Sequence, residues 1–116
     1  MDARLQLRVQ RYGWDAAAPF YHHCWEAQLR PAHDRLLGMA GLKPGERVVE
    51  TACGSGLVTL RIADAVGPEG EVLATDLSDA MIASLEARLA EAGLSNVRTA
   101  RMAAEQLDVA DGSFDV

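Results

Sequence analysis

The segment Glu50–Gly56, with the sequence ETACGSG, places a carboxylate and two glycines directly after the apolar pair Val48-Val49. Glycine adopts positive φ freely and leaves the backbone bare, so a ligand can lie against such a loop. The segment that follows, LVTLRIADAV, is compatible with a helix, whose first turn offers unpaired N–H groups and a partial positive charge. These features predict a ligand-binding loop between a strand and a helix, with Glu50 at its start.

A second carboxylate, Asp76, stands twenty residues after Gly56, at the end of the apolar segment EVLATD. At the tip of a neighbouring parallel strand, this carboxylate could accept both hydroxyls of a ribose. A dinucleotide is disfavoured because Glu50 would repel a pyrophosphate held in the loop. The dinucleotide fingerprint also requires a third glycine, where this chain has Thr59. We therefore expect a nucleoside ligand that has no phosphate and carries a positive charge.

The elements that must position these residues alternate between strands and helices. The pattern predicts strands for RVVET, EVLATD, NVRTARM and the final FDV. It predicts helices for LVTLRIADAV and for a segment that begins at Ser78 or Asp79 and is stopped by Gly93. Parallel strands joined by crossover helices indicate an α/β fold, a Rossmann-like parallel sheet with helices on both faces in three layers. The final strand begins at Phe114, so we expect this sheet to be truncated at the start of its fourth strand.

The N-terminal region is predicted to be helical, over residues 14–30 with a break at Pro19 and over residues 31–40. We therefore divide the chain into a helical cap, residues 1–41, and a partial ligand-binding domain, residues 42–116. The adjacent His22, His23 and Cys24 point about 100° apart on a helix and cannot converge on one ion, so no metal site is expected.

The composition excludes several classes of function. The net charge is −6 and no basic cluster exceeds two residues, which argues against nucleic acid or an anionic membrane as a partner. No apolar run approaches the roughly 20 residues of a membrane span, and the first twenty residues lack the apolar core of a signal peptide. Two cysteines do not make a disulfide framework. These properties predict a cytoplasmic protein.

Three segments in order, VVETACGSG, ATDLSDAMI and AAEQLDVADGSFDV, resemble the N-terminal half of a class I S-adenosylmethionine-dependent methyltransferase. The subgroup that the chain resembles is that of the ubiquinone and menaquinone biosynthesis C-methyltransferases. The resemblance covers about residues 14–116 and implies S-adenosyl-L-methionine as the cofactor and a small molecule as the methyl acceptor.

The resemblance also implies roles for individual residues, although it implies no catalytic residue. Glu50 would organise the loop and face the amino end of the methionine moiety, and Asp76 would bind the ribose hydroxyls. Further cofactor contacts would come from Tyr21 on the N-terminal helix and from Ala52, Gly54, Ser55, Gly56, Leu77, Met81, Ala103, Ala104 and Glu105. At the position of Ala103, many members carry an Asp or Asn that binds the adenine amino group, so that hydrogen bond is expected to be missing.

Two alternatives from other functional classes stay open at this point. An NAD(P)-binding oxidoreductase half-domain would share the glycine loop, although Glu50 and Thr59 argue against it. A non-catalytic, degenerate methyltransferase module would be consistent with Ala103 and with an incomplete sheet. The first strand of such a sheet would have an exposed edge, which favours self-association.

Overall fold

The computed structural model describes residues 2–116, which form three helices and three strands. In chain order these are α1 Ala3–Ala40, β1 Arg47–Glu50, α2 Thr59–Val66, β2 Glu71–Asp76, α3 Asp79–Ala92 and β3 Val97–Arg101. The three strands are parallel and lie in the order β1-β2-β3, with Val48, Val72 and Val97 side by side. The predicted α/β class with a parallel sheet is confirmed.

The last residues of the chain lie along the free side of β1. The N–H of Val49 donates to the carbonyl oxygen of Val116 at 3.0 Å, and the N–H of Val116 donates to the carbonyl oxygen of Arg47 at 3.2 Å. This alternation is the pattern of a parallel ladder. Residues 115–116, which belong to the predicted fourth strand, therefore lie beside β1, and they occupy part of the strand edge that we expected to be exposed. Self-association itself stays a prediction.

Both α2 and α3 pack on the same face of the sheet. Val48 and Val72 form a core cluster with α2, while Ala74, two residues after Val72 on the same face, forms one with α3. Right-handed crossovers that advance in one direction along a sheet place their helices on one face. The three-layer arrangement predicted from the sequence is therefore not present within residues 2–116. A helix can pack on the second face only when the next strand is added on the other side of β1. Within the described residues, only residues 115–116 lie on that side.

Helix α1 is longer and more regular than predicted. It runs without interruption from Ala3 to Ala40, with Asp2 as its N-cap, and it contains both Pro19 and Pro31. The predicted break at Pro19 is therefore wrong. The helix ends where the sequence indicates, because Gly41 adopts the left-handed conformation with φ 57°. The division of the chain at residue 41 stays a prediction.

Tertiary contacts on both sides of Pro19 and after Pro31 stabilise the uninterrupted helix. A proline in a helix interior costs about 3 kcal/mol, because it removes a hydrogen bond and crowds the preceding turn. Before Pro19, Asp15 accepts hydrogen bonds from the start of α3, and after it His22 is bonded to the glycine loop. Beyond Pro31, Asp34 forms an ion pair with α2 at 2.6 Å. In the part of the chain that the structure describes, no helix has both the length and the apolarity needed to cross a membrane.

Candidate functional site

Asp76 joins the glycine loop to the start of α3. One oxygen of its carboxylate accepts a hydrogen bond from the N–H of Gly54 at 2.8 Å, and the other accepts one from the N–H of Ser78 at 2.9 Å. The loop is held further by the N–H of Cys53, which donates to the carbonyl oxygen of Thr75 at 2.9 Å. Each carboxylate oxygen can accept a second hydrogen bond, so Asp76 can still bind a ligand hydroxyl.

Three residues of the loop have positive φ, namely Ala52 at 53°, Gly54 at 56° and Gly56 at 99°. Ala52 is the one non-glycine residue in this conformation within residues 2–116, and it is strained because its Cβ crowds the backbone. A Cβ added at Gly56 would overlap the Cδ1 atom of Leu85. The glycine at position 56 is therefore required both by its φ and by the packing of α3 against the loop.

Glu50 is held behind the loop by Thr59, the first residue of α2. The hydroxyl of Thr59 donates to Oε1 of Glu50 at 2.5 Å, and Thr59 is fully buried. Burial raises the pKa of Glu50 to about 7, and repulsion by Asp76 contributes in the same direction, while the hydrogen bond from Thr59 acts against them. Thr59 stands where a dinucleotide-binding loop has its third glycine. In this chain it donates a hydrogen bond to the carboxyl group of Glu50 instead.

A cavity of about 510 Å³ opens between the carboxyl ends of the strands and the N-terminal half of α1. This volume lies within the range of small-molecule sites. Nine of the twelve residues predicted from the sequence line it: Tyr21, Ala52, Gly54, Asp76, Leu77, Met81, Ala103, Ala104 and Glu105. The structure thus brings together residues from four separate segments of the chain.

The other three predicted residues, Glu50, Ser55 and Gly56, do not line the cavity. Glu50 is bonded to Thr59, and Gly56 packs against α3. Ser55 is fully buried, and its hydroxyl is hydrogen-bonded to Nδ1 of His22 at 2.9 Å. All three therefore shape the loop from behind, and their contact with a ligand stays a prediction.

Helix α1 forms one wall of the cavity. Among its lining residues, the sequence analysis identified only Tyr21. The additional lining residues are Ala3, Gln6, Leu7, Gln10 and Trp14 from α1, together with Met102 after β3. The rings of Trp14 and Tyr21 pack edge to face, with centroids 5.8 Å apart. The α1 residues recur at intervals of three or four over the first turns, which is the signal that could have identified them. Trp25, on the same helix, does not line the cavity.

Two polar contacts fasten α1 over the cavity. Asp15 accepts hydrogen bonds from the Ser78 hydroxyl at 2.5 Å and from the Ala80 N–H at 3.3 Å, and the bond from Ser78 lowers its pKa. One helical turn earlier, Arg11 donates to Asp79 at 2.9 Å. Both contacts bind α1 to the first turn of α3, where Ser78 is the N-cap.

The charge of the cavity is negative. Its charged lining residues within 2–116 are Asp76 and Glu105, and Glu50 lies directly behind the loop. Such a site suits a cationic ligand and disfavours a pyrophosphate, since like charges at close range raise the free energy of binding. The described residues place no group of three His, Cys, Asp or Glu side chains where they could hold a metal ion.

The family of the chain follows from its similarity to known proteins. The family model described as a methyltransferase domain matches residues 48–116, which is more than half of the chain. The chain belongs to this family. This methyltransferase domain is 39% identical over 79 residues to the ubiquinone/menaquinone biosynthesis C-methyltransferase UbiE of Ectopseudomonas mendocina, covering 67% of the chain and 31% of that relative.

Two further similarities, one in sequence and one in structure, are to other methyltransferases. It is 32% identical over 103 residues to the nocamycin O-methyltransferase of Saccharothrix syringae, covering 89% of the chain and 37% of that relative. The structure aligns with a SAM-dependent methyltransferase from Aquifex aeolicus with a TM-score of 0.65 and 25% identity, covering 72% of the chain and 44% of that protein. The chain spans about a third of the length of these curated relatives.

Proposed function

We propose that this chain is the cofactor-binding part of a methyltransferase, and that it binds S-adenosyl-L-methionine in the cavity between α1 and the ends of β1 and β2. The observation that carries the proposal is the negative charge of the cavity, whose charged lining residues are Asp76 and Glu105. S-adenosyl-L-methionine is a nucleoside with a sulfonium, an ammonium and a carboxylate group and without phosphate, so its net positive charge matches these carboxylates. When bound, it supplies an electrophilic methyl group.

The residues of the chain fit this group in three ways. Asp76 has lone pairs left for the ribose hydroxyls, because each of its oxygens accepts only one bond from the protein. Leu77 and Met81 offer an apolar wall for a purine ring. The backbone at Ala52 and Gly54 is open to the cavity and allows the methionine moiety to lie close. The contribution of these residues is to bind and orient, which can account for several kcal/mol of a reaction barrier.

We further propose that the methyl acceptor is a small molecule. The support is the similarity to proteins that are named as a ubiquinone/menaquinone biosynthesis C-methyltransferase and a nocamycin O-methyltransferase. An NAD(P)-binding function is disfavoured, because Asp76 and Glu105 would both repel a pyrophosphate placed beside the loop. A cytoplasmic location stays a prediction from the composition.

Calorimetric titration of the purified chain tests the proposal, with S-adenosylhomocysteine as the probe and NAD as the control ligand. Asp76→Asn should weaken S-adenosylhomocysteine binding about 10- to 100-fold, since a hydrogen bond to a charged acceptor is worth about 1.5–3 kcal/mol. Asp64→Asn makes the same change on the exposed side of α2, outside the cavity lining, and should alter the affinity less than about twofold.

Urea unfolding of both variants verifies that they are folded, because Asp76 also holds the glycine loop. The proposal would be overturned if the folded wild-type chain bound NAD in preference to S-adenosylhomocysteine, or bound neither.

A further inference from the structure

Two glutamines on α1, Gln6 and Gln10, form a polar pair in the wall of the cavity. They lie four residues apart on one helix face, and both line the cavity together with the apolar Leu7 and Trp14. Within residues 2–116, neither side-chain amide has a hydrogen-bond partner in the protein. Both side chains are exposed, and two amides that line a cavity without protein partners are available to a ligand.

The glutamines lie at the end of the cavity that is remote from the glycine loop. Tyr21 marks the loop end, since a Cβ added at Gly54 would be 3.6 Å from Cε1 of Tyr21. A helix rises about 1.5 Å per residue, which places Gln10 about 16 Å along the axis from Tyr21. Leu7, which lies between the two glutamines in sequence, also lines a smaller cavity of about 240 Å³ with Ala103. The two amides therefore lie at the end of the cavity that is formed by residues 102–105, which follow β3.

At this end Ala103 presents only a methyl group, and the carboxylate of Glu105 can accept a hydrogen bond but cannot donate one to a ring nitrogen. A glutamine amide carries both a donor and an acceptor, and it can bind the amino group and a ring nitrogen of adenine at the same time. We propose that Gln6 and Gln10 recognise the adenine edge of the bound nucleoside and replace the hydrogen bond that Ala103 does not make. This inference depends on the proposed function, since it takes the ligand to be an adenine nucleoside.

The test compares S-adenosylhomocysteine with S-inosylhomocysteine, in which a carbonyl oxygen replaces the purine amino group. Affinities are measured by calorimetry for the wild-type chain and for Gln6→Met, Gln10→Met and the double variant. Methionine keeps the length of the side chain and the propensity for helix, but it removes the amide. Gln28→Met is the matched control, because Gln28 lies on the same helix outside the cavity lining.

The wild-type chain and Gln28→Met should bind the adenine compound more tightly than the inosine compound. Each cavity variant should weaken binding of the adenine compound by up to about fivefold, the usual worth of one hydrogen bond. The double variant should bind both compounds within about twofold of each other. A double variant that kept the wild-type preference would overturn the inference and would point to Glu105 or to backbone groups. A wild-type chain that bound neither compound would instead contradict the proposed function.

Discussion

Glu50 makes the stability of the folded chain depend on pH, and replacing it with glutamine tests the structural reason. The pKa of this carboxyl rises from 4.5 to about 7 on folding, first because it is buried and then because Asp76 repels its charged form. The hydrogen bond from Thr59 offsets only part of this effect. Glutamine keeps an oxygen that accepts the bond from Thr59 but carries no charge.

The sign and size of the effect follow from the two pKa values. Between pH 4.5 and 7 the folded chain retains a proton on Glu50 that the unfolded chain releases. The stabilisation from this proton is complete below about pH 4.5, falls as the pH rises, and is lost above about pH 7. At 1.36 kcal/mol per pKa unit, the free energy of unfolding should fall by about 2 to 3 kcal/mol between pH 5 and 8.

Urea denaturation at pH 5, 6, 7 and 8 measures this dependence in the wild-type chain and in Glu50→Gln. Burial lowers the pKa of His22, which stabilises the fold as the pH rises through the ordinary range of histidine and so opposes the effect of Glu50. Because His22 is present in both proteins, the difference between their profiles isolates Glu50. Glu71→Gln, a change at the exposed start of β2, is the control and should follow the wild type. A Glu50→Gln profile as steep as that of the wild type would refute the assignment.

Two further predictions concern the conformation of the glycine loop. Ala52→Gly should raise the free energy of unfolding by about 0.5–1 kcal/mol. The relief of about 1–2 kcal/mol of strain at φ 53° exceeds the free-energy cost of the greater conformational entropy that glycine gives the unfolded chain. An unchanged urea midpoint would contradict this prediction. Gly56→Ala should lower the same free energy by about 2–4 kcal/mol, since the new Cβ overlaps Leu85 in addition to the strain of positive φ. Gly45→Ala is its control, because its φ of 85° is close to that of Gly56 and an added Cβ would meet no atom within 4 Å, and it should cost about 1–2 kcal/mol; equal losses in the two variants would exclude the overlap as the cause.

The elements around the cavity and their order could be predicted from the sequence, because their signals are local. Asp76 ends β2, Ser78 caps α3 and Gly93 stops it, as the residue types indicate. Each of these features depends on the conformation of a few consecutive residues, which amino-acid type strongly influences. The position of Asp76 beside the glycine loop then follows, since neighbouring parallel strands end at the same edge of a sheet.

Contacts between distant segments were decided only by the tertiary structure. Helix α1 continues through Pro19 because Asp15 and His22 form hydrogen bonds with residues far along the chain. Helix propensity is a property of local sequence and does not predict such contacts. Glu50 is bonded to Thr59, a residue that the sequence identified only as an absent glycine. Gln6 and Gln10 become part of the cavity because the packing of α1 on α3 sets which face of the helix points inward. That rotation is determined by side chains on both helices together, so neither segment alone specifies it.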